Sequence, residues 1–293
     1  MAARILDGRK MADGIRQGLK RDIDSLSLAG KIKLTAVRIG GNPSAEVYSN
    51  AQRRLADELG IEYNIKELSS SVSQETAEEA ISRLNRDDSV TGIIIQVPVP
   101  KNMNAERLFS QIDPQKDAEG LNPCNIGKIS YEKWTVAPCT ASACLALIDS
   151  TGVKLDGKEA VVVGHSAIVG KPLAMMLLSR LATVTVCHIG TYERKLLEDH
   201  VRSAEVLVVA VGKSRLIKGA WIKKGAIVID VGINKDGDKI TGDVDFESAE
   251  KQASYITPVP GGVGPVTTVM LMKNLVELYK AKRDTQDDFQ RKS

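Results

Sequence analysis

Three stretches hold residues whose types and positions suit chemistry. The first, Gly164 to Pro172, reads GHSAIVGKP between an apolar run and a helical pattern. Backbone N–H groups and the dipole at a helix N-terminus favour an anion, so a strand–turn–helix of this kind suits the phosphates of a dinucleotide. Gly164 lets the backbone approach a ligand, and Gly170 lets the helix pack on its strand. The spacing is not G-x-G-x-x-G, so the turn alone also fits a plain strand–helix connection. The second is Gln96, an amide inside the apolar run GIIIQVPVP. A buried amide loses free energy unless it finds hydrogen-bonding partners. The third is the Pro/Gly stretch Pro258 to Pro265, PVPGGVGP, which on local grounds reads as a tight turn.

Around the first stretch the nucleotide preference stays open. Dinucleotide enzymes that prefer NAD usually place an acid at the end of the second strand, on the adenine ribose. Here that strand ends Cys187-His188-Ile189-Gly190-Thr191, without an acid. The basic side chains nearest in sequence are His165, Lys171, Arg194 and Lys195, none at a committed position for a 2′-phosphate. No metal site is expected. Cys124, Cys139, Cys144 and Cys187 form no C-x-x-C pair, and His165, His188 and His200 lack H-E-x-x-H spacing. Reduced thiols are the simpler reading.

The elements that must position these residues alternate along the chain. Met11, Ile15, Leu19 and Ile23 recur four apart and predict an amphipathic helix. Strands are expected at Lys33–Gly40, Ile61–Leu68 and Val90–Pro100, the last broken by Pro98 and Pro100. Helices are expected at about 44–59, 73–85 and 105–111, followed by an irregular stretch to Pro138 and a helix at about 141–150. A second alternation then begins. Strands are expected at Glu159–Gly164, Thr183–His188, Glu205–Gly212 and Ala226–Ile233, with a helix at Val169–Leu181 carrying Pro172 in its first turn. Continuous Val/Ile runs between helices imply parallel strands covered on both faces. A final apolar helix ends in the polar tail RDTQDDFQRKS.

Bulk composition narrows the class. A length of 293 residues suits two domains, and 43 % hydrophobic residues can fill sizeable cores. Forty basic residues nearly balance 37 acidic ones, so the net charge of +3 gives no reason to expect nucleic acid or an anionic membrane as partner. Three Phe and two Trp are few for base stacking. The N-terminus lacks the apolar core of a signal peptide, and the longest apolar runs are strand-sized.

Seven segments, taken in order, resemble the bifunctional methylenetetrahydrofolate dehydrogenase/methenyltetrahydrofolate cyclohydrolase family of the FolD type. They are GNPSAEVYSNAQRRLADELGI, GIIIQVPVP, DPQKDAEGLNP, APCTASA, VVVGHSAIVGKP, AIVIDVGI and YITPVPGGVGP, and they span nearly the whole chain. The resemblance implies an α/β fold: a folate-binding domain over residues 1–140, completed by a returning C-terminal helix at 266–282, and a Rossmann-type doubly wound domain over 141–265. Residues 283–293 are left as a polar tail. It implies a cytoplasmic homodimer that takes a small-molecule folate substrate and NAD or NADP. It places Tyr48, Gln52, Gln96 and Glu119 at the catalytic centre. Ile95, Val97, Pro258, Val259, Pro260, Gly261, Gly262, Val263, Gly264, Pro265 and Val266 join them in binding substrate, the last nine as a loop lining an interdomain cleft. Gly164, His165, Ser166, Ile189, Thr191 and Ile233 are the implied cofactor contacts.

The departures from the family pattern are informative. Its Tyr-x-x-x-Lys reads Tyr48-Ser-Asn-Ala-Gln52 here. Spacing of four puts both side chains on one helix face, but glutamine has no titratable proton, whereas a buried lysine can exchange one near neutrality. Arg53 and Arg54 point about 100° and 200° away and stay protonated. The Lys-Asp-x-Asp-Gly segment has Glu119 for its second Asp, and Pro-Cys-Thr-Pro has Ala141. His165 stands for the Arg of the phosphate turn and Ile189 for the serine after the second strand. Hydride transfer is expected to survive these changes and cyclohydrolase activity to be weak or lost. The alternatives are a fully bifunctional enzyme and a catalytically silent folate- or dinucleotide-binding paralogue.

Overall fold

The computed structural model describes residues 2–41, 43–237 and 239–292, with side chains throughout except at 43–45, 47, 48 and 285–292. Eleven strands lie among these residues: β1 (Arg4–Ile5), β2 (Lys33–Ile39), β3 (Glu62–Leu68), β4 (Gly92–Ile95), β5 (Glu159–Val163), β6 (Thr183–Cys187), β7 (Val206–Val209), β8 (Ile227–Asp230), β9 (Asn234–Asp236), β10 (Lys239–Thr241) and β11 (Tyr255–Ile256). The helices are α1 (Gly8–Ser25), α2 (Pro43–Leu59), α3 (Gln74–Arg86), α4 (Ala105–Gln111), α5 (Pro123–Ser130), α6 (Cys139–Asp149), α7 (Gly170–Leu178), α8 (Ile189–Glu193), α9 (Leu197–Ser203), α10 (Phe246–Ala249) and α11 (Val263–Lys292). The fold is α/β, and every pairing in its two main sheets is parallel.

The chain divides into two compact units. One comprises the residues up to Gly14 and Pro138–Thr267, and contains a six-stranded sheet in the order β1-β11-β8-β7-β5-β6. From β5 the chain passes to β6 on one side and then to β7 on the other, which makes the carboxyl ends of β5 and β7 a topological switch point, the place where open α/β sheets bind ligands. Val161, Val163, Leu207, Val209, Val228 and Ile256 fill one core of this sheet.

The other unit comprises Ile15–Ala137 and the residues from Thr268 onward, around a three-stranded sheet in the order β3-β2-β4. Its core gathers Val37, Ile93 and Ile95 under Ala77 and Ile81 of α3 and Leu108 and Phe109 of α4. Ser73 caps α3 by accepting the Thr76 N–H at 3.2 Å. Beside β4 the segment around Asp117 adds ladder bonds, Ile93 N–H to the Lys116 carbonyl (2.7 Å) and Ala118 N–H to that of Ile93 (3.3 Å). Asn274 of α11 donates to the carbonyls of Ala118 and Ala137, both at 2.9 Å.

Several expectations need correction. The residues up to Gly14 fall outside the unit that holds most of 1–140, because Arg4–Ile5 forms an edge strand paired with Tyr255–Ile256. Two residues are too few for a periodic signal. The run Val90–Pro100 is a strand only over Gly92–Ile95, because Pro98 and Pro100 cannot donate to a ladder. Gln96 therefore lies just past the strand, not inside it. The irregular stretch before Pro138 contains α5, whose start is set by Asn122 accepting the Cys124 N–H at 2.8 Å and by Pro123 in the first turn. The C-terminal helix runs over Val263–Lys292, not 266–282, so four residues of the expected Pro/Gly loop are its first turn. Pro265 fits there because the first helical N–H groups have no partner within the helix.

Candidate active site

A hydrogen-bonded set of polar side chains forms where β2, β3, β4 and α2 meet in the three-stranded unit. The Arg38 Nε donates to Gln96 Oε1 at 2.9 Å, and its Nη2 donates to Ser49 Oγ at 3.2 Å. The Gln96 Nε2 donates to Ser49 Oγ and, at 3.4 Å, to the Tyr63 hydroxyl. The Tyr63 hydroxyl donates to Gln52 Oε1 at 2.9 Å. Tyr63 is buried, and burial pushes its phenol above the ordinary tyrosine range, while hydrogen bonds from Ser49 and Gln96 and the charges of Arg38 and Arg53 pull the other way. The Arg53 guanidinium lies 5.7 Å from the Tyr63 ring centroid. Sequence reasoning found Gln52 and Gln96 but missed Arg38, Ser49 and Tyr63. An arginine inside the apolar strand LTAVRI and a tyrosine on the buried phase of EYNIKEL were the available signals.

The other residues expected here have different surroundings. Tyr48 lies in α2, but its side chain is outside the described residues. The Ile95 side chain is fully buried among α3 and α4, so only its backbone is available at the site. Val97 is exposed. Glu119 is half-buried at the end of the segment beside β4. Burial and the neighbouring Asp117 carboxylate push it up to about 8, with the Ile95 N–H holding it back. Asp117 is a structural group, accepting the Gly120 and Asn122 N–H groups at 3.0 and 2.7 Å and the Asn125 amide at 2.9 Å. Lys116 is equally absorbed, since its Nζ donates to the Leu84 and Asp87 carbonyls at the C-terminus of α3. Ala141 is buried within α6.

In the six-stranded unit an open pocket of about 370 Å³ lies at the ends of β5, β6 and β7. Gly164, His165 and Ser166 form one wall, His188, Ile189 and Tyr192 a second, and Ala210, Val211 and Lys213 a third. A Cβ on Gly164, whose φ is +120°, would sit 2.3 Å from the Ala210 carbonyl oxygen. One on Gly170 would sit 2.0 Å from the Gly164 oxygen. The close approach of these backbones is what admits only glycine. Ser166 Oγ accepts the Val169 N–H at 3.1 Å, just before α7. The rings of His165 and His188 lie 5.2 Å apart. Thr191 is not on the pocket wall; its hydroxyl accepts the His188 N–H while His188 Nδ1 accepts that of Gly190, which caps α8. Ile233 is exposed beyond β8 and does not line this pocket either.

The loop after β7 is held from beneath. The buried Asp243 accepts the N–H groups of Val211, Gly212 and Lys213 at 2.7, 2.9 and 2.8 Å, and the Asn234 amide at 2.9 Å. Asp230 beside it accepts the N–H groups of Gly232, Asp243 and Val244, and burial pushes it up to about 7. The Pro258–Val266 stretch belongs to this same unit. It is anchored by the Gly8 N–H on the Gly261 carbonyl at 2.9 Å, and a Cβ on Gly8 would meet the Gly262 oxygen.

A βα turn of close-packed glycines at a switch point, with an open pocket beside it, is the arrangement in which α/β sheets hold dinucleotides. The family comparisons bear on the two units as domains. The tetrahydrofolate dehydrogenase/cyclohydrolase catalytic domain matches residues 6–119, and the NAD(P)-binding domain of that family matches residues 138–283. The chain belongs to the tetrahydrofolate dehydrogenase/cyclohydrolase family. It is 44 % identical over 282 residues to the bifunctional protein FolD of Acetivibrio thermocellus, covering 96 % of this chain and 98 % of that one. The Campylobacter jejuni FolD crystal structure, a methylenetetrahydrofolate dehydrogenase/cyclohydrolase, superposes with a TM-score of 0.91 at 38 % identity, covering 96 % of this chain and 100 % of that one. The FolD of Trypanosoma brucei, solved with NADP and an inhibitor, gives the same score at 37 % identity, covering 96 % and 99 %. The family member described here thus carries the NAD(P)-binding domain in the unit where the glycine turn lies. Among the described residues, no helix is long and apolar enough to cross a membrane.

Proposed function

We propose that this protein is a 5,10-methylenetetrahydrofolate dehydrogenase that yields 5,10-methenyltetrahydrofolate with NAD(P)+ as acceptor, and that its cyclohydrolase activity is weak or lost. Family membership over both domains supports the first half. The observation that carries the second is the neutral Gln52 carboxamide, bonded by Tyr63, at the position where the family resemblance expects lysine.

The one-carbon bridge of the folate lies between two nitrogens, whose lone pairs stabilise the cation left when hydride departs. When bound, the nicotinamide supplies the hydride acceptor. The residues present fit a dinucleotide: the turn after Gly164, whose own N–H is bonded to the Cys187 carbonyl at 2.8 Å, leads into the N-terminus of α7, an end of a helix that favours phosphate, and no carboxylate lines the pocket beside it. The protein's work is to hold the donor carbon in near-attack geometry and to exclude water. Gln52, Gln96 and Glu119 are the groups proposed to hold the folate, with Tyr48 and the Pro258–Val266 stretch. None of them needs to give or take a proton during hydride transfer.

Cyclohydrolysis makes a different demand. Water must lose a proton as it attacks the methenyl carbon, and a ring nitrogen must gain one as its bond to that carbon breaks. General acid–base help is worth about 10²–10⁴-fold. The Gln52 amide does not titrate, and Tyr63, pushed up by burial, keeps its proton at neutral pH. The test is to assay NAD(P)+ reduction with methylenetetrahydrofolate, and methenyltetrahydrofolate hydrolysis, for the natural protein and for Gln52→Lys. Reduction by the natural protein, with hydrolysis slow and raised by the lysine, is the expected result. Fast hydrolysis indifferent to the lysine would overturn the second half. It would favour the fully bifunctional reading, for which the activities named for the relatives speak. The family resemblance further suggests a cytoplasmic homodimer, and sedimentation equilibrium would reveal its mass.

A further inference from the structure

Tyr63 stands outside the family pattern read from the sequence, yet it makes the bond that fixes Gln52. The direction of that bond follows from the donors around it. A guanidinium only donates, so the Gln96 oxygen faces Arg38, and its NH2 faces Ser49 and Tyr63. Ser49 Oγ already accepts from Arg38 and from Gln96, which uses both hydroxyl lone pairs. The acceptor remaining for the Tyr63 proton is residue 52. Gln52 must therefore turn its oxygen to Tyr63 at 2.9 Å, and its Nε2 has no partner among the described residues.

We infer that Tyr63 is a positioning residue of the folate site, holding the Gln52 carboxamide so that its NH2 donates to an acceptor atom of the substrate, a carbonyl oxygen or a ring nitrogen. The inference rests on the proposed placement of folate beside Gln52. It accounts for the residue type as well as the loss of lysine. A lysine ammonium has no acceptor for the Tyr63 proton, and a glutamate accepts it but offers the substrate no donor. An amide of this length does both while staying neutral and without titrating. The register of β3 supports the pairing. Tyr63 lies opposite Leu34 on the buried phase of its strand, with its ring under Arg53 and its hydroxyl between the two glutamines.

The experiment measures tetrahydrofolate affinity by calorimetry, and KM and kcat for methylenetetrahydrofolate and NAD(P)+, in Tyr63→Phe, Gln52→Glu, Gln52→Ala and the Tyr63→Phe/Gln52→Ala double variant. Tyr63→Phe should raise the folate Kd and KM about fivefold to tenfold, the size of one lost hydrogen bond, with NAD(P)+ KM unmoved and kcat changed by no more than about twofold. Gln52→Glu should weaken folate to a similar degree although Tyr63 keeps its acceptor, an effect that a purely structural Tyr63–Gln52 bond would not produce. The double variant should bind no worse than Gln52→Ala, because the two residues act through one contact. Unchanged folate affinity in Tyr63→Phe, wild-type affinity in Gln52→Glu, or additive losses in the double variant would each overturn the inference. A natural protein that binds tetrahydrofolate but reduces neither nicotinamide would sink the dehydrogenase reading alone, leaving the calorimetry to judge Tyr63. One that binds no tetrahydrofolate would sink both.

Discussion

At the turn after β5 the open pocket is walled by the glycine turn, two histidines and apolar side chains, whereas just past β4 two carboxamides, a phenol, a hydroxyl and a guanidinium meet. The first region owes its shape to atoms that are missing. Gly164 and Gly170 let two backbones meet where a methyl group would collide, and the polar side chain that steadies the wall, Asp243, is hidden beneath the loop. The second region owes its shape to atoms that are present, each donor or acceptor oriented by the next. The two regions should therefore fail differently. Adding an atom should ruin the nucleotide site, and removing one should loosen the glutamine network.

The largest effect should come from an added side chain. Gly164→Val places a β-branched residue at a left-handed φ and against the Ala210 carbonyl. The KM for NAD(P)+ should rise about a hundredfold or more, with tetrahydrofolate affinity retained in whatever fraction folds. A variant with unchanged NAD(P)+ kinetics would break the contrast outright. Next in size is Asp243→Ala, which strands four N–H donors of and beside the loop after β7. It should cost about 3 kcal/mol of stability in urea unfolding and raise NAD(P)+ KM about tenfold, leaving folate affinity in place. Equal losses at both ligands would show that the two regions are not independent.

The smallest effect concerns proton occupancy. Glu119 is pushed up to about 8. With folate held by Glu119 as proposed, pterin N–H groups donate to its carboxylate, so the ionised form is the binding form, and protonation competes with the ligand. Folate KM should fall severalfold as pH rises from about 7 to about 9, and Glu119→Gln should flatten that profile. Stability should run the opposite way. Between the ordinary carboxylate range and about 8, native Glu119 keeps a proton that the unfolded chain has released, so folding weakens as pH rises through that window. Asp230, pushed up to about 7, and Asp117, which burial also pushes up, act in the same direction and should account for the slope that remains in Glu119→Gln.

What could be read from the residues was whatever local covalent structure enforces. Continuous Val/Ile runs announced β5, β7 and β8, apolar residues four apart announced α1, Ser73 announced the start of α3, and two glycines six residues apart after a strand announced the tight turn into α7. Pro98 and Pro100 marked a break in this run, because a missing N–H acts wherever it stands, and β4 ends just before them at Ile95. Elements too short to show a period, such as the pairing of Arg4–Ile5 with Tyr255–Ile256 across 251 residues, were beyond local reading. The glutamine at position 52 and the one at position 96 stood out as residue types out of place. Their partners carried weaker signals, because Arg38, Ser49 and Tyr63 gain a role only when the register of three parallel strands and one helix brings each within 3.5 Å of one of the glutamines. Sequence thus determined which segments could be strand, helix or anion-holding turn, since those depend on neighbours along the chain. Tertiary packing alone decided the direction of every hydrogen bond at Gln52, since that depends on which donors and acceptors distant segments bring to the same point.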